Sequence, residues 1–352
     1  MFIRPAQFRA SYPHLFFLDP EDLNSLEGYL RSHGLLNTGD VIVSVAIAGE
    51  GNMNCTVRVT TGSGTLIVKQ ARPWVEKYPQ FAAPWNRACR EAEFYKLIAC
   101  QSGVAAMMPR LLHFDSEARV LVLEDLGVAS DYTGVYRGER FTSSEIQSLA
   151  GFLSALHSGH ATADGISRLP NREMRELNHA HLFVIPLVGN NGLNLDSLTP
   201  GLAAVARSLQ SDAAYCRSVE ELGREIYLAD GPCLLHGDFY PGSLLRSAGG
   251  PRVIDPEFGF FGRPEFDVAV FLAHLLLADA GAEQAQVWCQ SYVSSRSFDP
   301  ERMLQLAGVE IMRRLIGYAQ LPLHYGLDRK RELLESSRSL VLDPRAHRSA
   351  YY

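Results

Sequence analysis

Along the first third of the chain, apolar positions fall in short runs separated by glycine-rich turns. Residues 41–70 hold three such runs, Val41 to Ala48, Cys55 to Thr60 and Thr65 to Lys69. They are rich in β-branched residues and bounded by turn signals, which predicts an antiparallel meander. Between residues 83 and 103 the period changes. Cys89, Ala92, Tyr95 and Leu97 to Ala99 recur at helical spacing, and Gly103 supplies a stop. Residues 109–115 and 119–127 read as two further strands, completing a five-stranded sheet with one crossing helix. Beyond Gly127 the pattern is helical, over 143–160, 197–212, 266–278 and 302–320, with Ser143 or Ser144 expected to cap the first. The expectation is an α+β protein of two lobes: residues 1–127 with a helical N-terminal extension, and a larger, mainly helical lobe over 128–352.

Composition narrows the class. The 352 residues are 47 % apolar and 20 % charged, with a net charge of -6, the mixture of a soluble globular enzyme with no electrostatic reason to bind nucleic acid. Six scattered cysteines without a Cys-x-x-Cys pair argue against a zinc site or a disulfide framework and suit a reducing cytoplasm. The N-terminal stretch does not read as a secretory signal. The most apolar run, 266–278, is too short to span a bilayer and carries Asp267 and His274, so it is expected as a buried helix and no membrane partner is expected.

Candidate chemistry starts at "GEGNMN", residues 49–54, between two predicted strands. Gly49 and Gly51 would leave backbone N–H groups open to phosphates, with Asn52 and Asn54 beside them. Alone this is an ordinary hairpin turn, and no Gly-Lys-Ser/Thr exists for a P-loop. Lys69 ends a strand, and a strand lysine tied by a helical glutamate is how kinases orient ATP phosphates. Glu91 is the candidate partner and Glu93 its competitor; a helix turns them to different faces, so one alone can serve. In "HGDFYPGSLL", residues 236–245, Asp238 has the place of the aspartate that accepts a substrate hydroxyl proton, and Ser243, five residues on, that of a metal-holding residue. Asp255, at the end of the next strand, would hold Mg²⁺ on ATP. Serine is a poor metal ligand, and Glu257 could supply the missing oxygen. Each aspartate alone would be a turn residue; the ordered set of Lys69, Glu91, Asp238 and Asp255 argues for a kinase.

These motifs, with "LIVKQARPW", "NRACREAE", "LVLEDL", "FDVAVFLAHLLLA" and "EIMRRLIGYA", resemble the kinase-like small-molecule phosphotransferases, which include aminoglycoside, choline and fructosamine kinases. Within them the methylthioribose kinases look most similar, sharing Ser243 and the Asp255-Pro256-Glu257 run. The resemblance implies a protein-kinase-like fold with ATP in a cleft, adenine at the hinge around Glu124 to Leu126, Asp238 facing the acceptor, Arg313 and Arg314 on the substrate side, and a homodimer. Consecutive helical arginines diverge, so at most one is expected to face the site. Where methylthioribose kinases usually read His-Gly-Asp-Leu-His-Thr-Gly-Ser, this chain has Phe239, Tyr240 and Pro241, which places Tyr240 beside the acceptor. Residues 169–195 carry no interpretable motif. An amino alcohol or aminoglycoside acceptor is the alternative, disfavoured by the mixed to basic C-terminal part. A non-catalytic ATP-binding scaffold is the third reading. Neither Asp-Phe-Gly nor Ala-Pro-Glu occurs where a protein kinase needs them.

Overall fold

The computed structural model describes residues 5–49, 53–159 and 163–351. It divides into two compact units, one of residues 1–100 and 108–128, the other of residues 101–107 and 129–352.

In the first unit, β1 (Ile42–Ile47), β2 (Cys55–Thr61), β3 (Thr65–Gln70), β4 (Leu111–Asp115) and β5 (Val120–Glu124) form an antiparallel sheet in the order β1-β2-β3-β5-β4. The period-2 pattern decides its faces. Cys55, Val57 and Val59 of β2, Leu66 and Val68 of β3, and Val120 and Val122 of β5 share one buried cluster with Leu26, Tyr29 and Leu30 of the N-terminal helix Leu23–Ser32. Each such side chain contributes roughly 1.5–3 kcal/mol by leaving water. The alternate residues Ile67 and Lys69 therefore take the opposite face. Helix α1 (Arg87–Ile98) packs on β4 and β5, shorter than the predicted 83–103. A small hairpin, Trp74–Val75 with Tyr78–Ala82, fills a stretch to which the sequence pattern assigned no element.

The second unit is mostly helical. Helix α2 (Ser143–Ser158) is capped by Thr142, not by Ser143 or Ser144. The Thr142 hydroxyl accepts from the Glu145 N–H while the Glu145 carboxylate accepts from the Thr142 N–H. This reciprocal pairing satisfies two end groups at once, which neither serine achieves. The expected 197–212 helix is broken by Pro200 and Gly201 (φ +88°), leaving Leu202–Gln210. Residues 169–195 contain α3 (Arg172–His179) and a π-helical turn over Ala180–Val184.

Two small antiparallel pairs carry the loops of interest. Strand β6 (Cys233–Leu235) pairs with β9 (Phe260–Gly262), and β7 (Leu244–Ser247) with β8 (Gly250–Val253). The apolar run becomes α4 (Glu265–Leu277), buried along almost its whole length as expected. It packs on α5 (Pro300–Ile316), which in turn packs on α6 (Leu327–Leu342). Gly308 allows that second contact, since a Cβ there would lie 2.8 Å from the Ser337 carbonyl oxygen. Helix α5 ends at Gly317, whose N–H caps the Arg313 carbonyl at 2.9 Å. Among the described residues no helix is long and apolar enough to cross a membrane.

Candidate active site

In the first unit Lys69 Nζ lies 2.8 Å from Glu91 Oε2, with side chains 3 % and 1 % exposed. Glu93 instead sits 3.8 Å from Lys96, so the helical register selects Glu91. A buried lysine needs such a counter-charge. Gly49 has φ +71°, the left-handed turn that glycine tolerates, while Gly51 and Asn52 lie outside the described residues. Asn54 is buried, and its side-chain oxygen accepts from Arg87 Nε at 2.9 Å. Arg87 also donates to the carbonyls of Met53 and Arg72, anchoring the chain after the turn to α1. Nothing in the spacing pointed to this arginine. At the end of β5, the Glu124 N–H donates to the Arg110 carbonyl at 2.9 Å. Arg58 grips the segment around Leu126 by pairing with Asp125 at 2.8 Å and donating to the Gly127 carbonyl at 2.9 Å.

In the second unit, β6 runs directly into His236-Gly237-Asp238. Gly237 has φ +84°, and a Cβ there would meet the Phe258 carbonyl oxygen at 2.2 Å, so only glycine fits. The loop is held from α4. Asp267, fully buried, accepts from the N–H groups of His236 (2.7 Å) and Gly237 (2.9 Å) and lies 3.2 Å from His157 Nε2. His157 in turn meets the Tyr292 hydroxyl at 3.0 Å. Three polar partners let a carboxylate stay in the core. The His236 ring lies 2.9 Å from the Ile254 carbonyl, tying this loop to the one that follows β8.

That second loop holds Asp255 in a left-handed conformation (φ +59°, ψ +55°), tolerated by aspartate but costly for most residues, ahead of the turn Pro256–Phe258. Glu257 is 5 % exposed and Ser243 3 %. Asn171, at the start of α3, donates to the carbonyls of Glu257 and Gly259, both at 2.9 Å, and the Ser243 carbonyl accepts from the Ile254 N–H at 3.0 Å. The uninterpreted segment 169–195 thus supplies the brace of the Asp255 loop.

Beside Asp238 stand both arginines of α5. Arg313 Nη2 is 3.9 Å and Arg314 Nη2 3.7 Å from Asp238 Oδ1. The expectation that only one would face the site fails, because long side chains that leave a helix about 100° apart still converge on a point near its surface. Glu310, one turn earlier, touches both, and the Arg314 guanidinium lies 4.7 Å above the Tyr240 ring, which places Tyr240 in the same cluster. Burial raises the Asp238 carboxyl above its usual range, opposed by Arg314 and Arg313. Burial would also raise Glu310, but the two arginines and His274 prevail and hold it well below the ordinary range.

Residues 44–306 match the phosphotransferase enzyme family over three quarters of the chain. The chain belongs to that family. Methylthioribose kinases are similar in sequence. That of Exiguobacterium sibiricum is 29 % identical over 262 residues, covering 71 % of this chain and 64 % of its own length. That of Yersinia pestis is 30 % identical over 271 residues, covering 72 % and 63 %. The match thus spans slightly less than two thirds of these relatives. The fold of this chain is shared with the ethanolamine kinase of Plasmodium vivax (TM-score 0.56, 12 % identity, 99 % of this chain and 96 % of that one). It is also shared with a choline/ethanolamine kinase family protein of Mesorhizobium loti (TM-score 0.51, 16 % identity, 87 % and 90 %).

Among the described residues no three His, Cys, Asp or Glu side chains gather as a cation cage. The acidic pair Asp255 and Glu257 still suits magnesium, a hard cation held by one or two carboxylates together with phosphate oxygens and water. Ser243 has a weaker donor, and its carbonyl is engaged in bracing the loop.

Proposed function

We propose that this phosphotransferase moves the γ-phosphoryl group of Mg-ATP to a hydroxyl of a small sugar, methylthioribose being the acceptor to which its relatives' names point. The observation that carries the reading is the half-buried Asp238 carboxylate with two guanidiniums within 4 Å. A carboxylate whose proton affinity is raised by burial can take a hydroxyl proton, and guanidiniums offset charge that grows on the phosphoryl oxygens. In this reading Lys69, kept in place by Glu91, orients the phosphates, and the same task falls to the backbone N–H groups of Gly49, Gly51 and Asn52, together with Asn54. The chain from Glu124 to Leu126 meets adenine. Asp255 and Glu257, with Ser243 behind them, would hold the magnesium that offsets phosphate charge. Asp238 orients the acceptor, with Tyr240 and the arginines as its walls. Two arginines beside the base disfavour a polycationic acceptor such as an aminoglycoside. The reading includes a cytoplasmic homodimer.

The test is ADP release by the purified protein with Mg-ATP and methylthioribose, ribose, choline or kanamycin. Saturable turnover with methylthioribose above the other three is expected. Turnover with choline or kanamycin alone would replace the acceptor, and ADP release from none would overturn the reading.

A further inference from the structure

We propose that Glu310 is a positioning residue that holds the guanidiniums of Arg313 and Arg314 beside Asp238 but off its oxygens, keeping that carboxylate open to the acceptor hydroxyl. The inference rests on the phosphotransfer reading above. It starts from an electrostatic problem. Two adjacent arginines, 6 % and 5 % exposed, stand next to a single partly exposed carboxylate. Left to themselves, such groups close into a bidentate pair with N–O distances of about 2.7–2.9 Å, which occupies the lone pairs that a hydroxyl proton needs. Here they do not close. The nearest approaches to Asp238 are 3.7 and 3.9 Å, beyond hydrogen-bonding distance.

Glu310 supplies the restraint. It lies three and four residues before the arginines, the spacings that bring helical side chains together. Its Oε1 accepts from Arg314 Nε at 2.6 Å, and its Oε2 is 3.6 Å from Arg313 Nε. The Arg314 contact uses the inner nitrogen of the guanidinium, so Arg314 is pulled back along its own stem and presents a terminal Nη to Asp238, while Arg313 Nε, beyond hydrogen-bonding distance of Oε2, is drawn to Glu310 by charge alone. Asn178 assists by accepting from Arg313 Nη1 at 3.2 Å.

Glu310 is itself fixed from α4. His274 Nε2 lies 3.1 Å from Glu310 Oε1, and His274 Nδ1 lies 2.5 Å from the Tyr136 hydroxyl. Burial, with Arg314 nearby, keeps this imidazole neutral near pH 7. A neutral ring can donate from Nε2 to the carboxylate and accept the tyrosine proton at Nδ1, which fixes one tautomer and one orientation. Two guanidiniums and two carboxylates then sum to zero charge, and removal of Glu310 would leave a net positive cluster around the base.

The other titratable groups acting on Asp238 are His236, Tyr240 and Tyr227, while Glu310 faces Arg313, Arg314, His274 and Tyr136. None of these replaces the lost negative charge. Glu310→Gln should therefore let the arginines close on Asp238 and depress its proton affinity. The expected result is a fall in kcat on the order of 10²-fold with KM for ATP little changed, and an acid limb of kcat/KM shifted to lower pH. A merely structural role for Glu310 would lower activity without moving that limb.

The experiment is ADP release from Mg-ATP between pH 5 and 9, with the best acceptor of the four named above or water, for the wild type, Glu310→Gln, Glu310→Asp and Asp238→Asn, with thermal unfolding of each. Glu310→Asp keeps the charge but shortens the reach, so kcat should fall while the acid limb stays in place. If Glu310→Gln does not fold, a wild-type kcat in Glu310→Asp overturns the inference. An unchanged kcat and acid limb in Glu310→Gln beside an inactive Asp238→Asn overturns it while leaving the phosphotransfer reading intact. An active Asp238→Asn, or no ADP release by the wild type, overturns both.

Discussion

In the first unit a buried lysine meets a buried glutamate at 2.8 Å, whereas in the second three buried charges, Glu310, Arg313 and Arg314, cluster with the half-buried Asp238 at 2.6 to 3.9 Å. The lysine contact is short, as suits the positioning task proposed for it. The cluster leaves Asp238 partly exposed and without a close ion pair, and in the proposed reading that slack is what a proton acceptor requires. In the proposed reading, charge compensation serves rigidity in one unit and availability in the other.

Removal of a partner should hurt the buried Lys69–Glu91 contact most. Lys69→Met strips Glu91 of its lysine and should cost about 3–5 kcal/mol of stability by urea unfolding, because a buried carboxylate loses its counter-charge. A loss below about 1 kcal/mol would show that Glu91 does not depend on Lys69 for its counter-charge. Asp267→Asn should act next. One of its two acceptor sites for the His236 and Gly237 N–H groups becomes a donor, which should cost roughly 1–3 kcal/mol and lower kcat through the Asp238 loop. Unaltered stability and rate would mean that the loop is held elsewhere.

The smallest effect is confined to acid. His274 has its pKa lowered from 6.5 to about 4 by burial, with Arg314 adding to it, so between these values the unfolded chain binds the extra proton. Its contribution to stability is complete above about pH 6.5 and is lost as pH falls toward 4. His274→Gln should flatten the stability–pH curve over that window. The Glu310 carboxyl, held below its ordinary value of 4.5, loses its own contribution only at lower pH, which separates the two.

Much of this was legible in the chain because it is local. Runs of β-branched residues disclosed the five strands, and order and element singled out Lys69 and Glu91, which the fold brings within 2.8 Å, and Asp238 and Asp255 as candidates. The residues that brace the site were hidden for the opposite reason. Asp267 sits in an apolar run 31 residues from the N–H group it binds, Asn171 lies 86 residues from Glu257, and Glu310 resembles any helical glutamate next to arginines. Their roles arise from tertiary contacts that no local period encodes. The Arg87 anchor on Met53 and Asn54 is of the same kind, while the Thr142 cap was readable from its glutamate three residues on.

The most direct test is the steady-state rate of ADP release by Asp238→Asn, measured with methylthioribose beside nucleotide binding by calorimetry. Loss of roughly 10²–10⁴-fold in kcat with unchanged affinity for Mg-ATP is the predicted result. A near-normal rate would contradict the assignment of Asp238 as the group that takes the acceptor's proton.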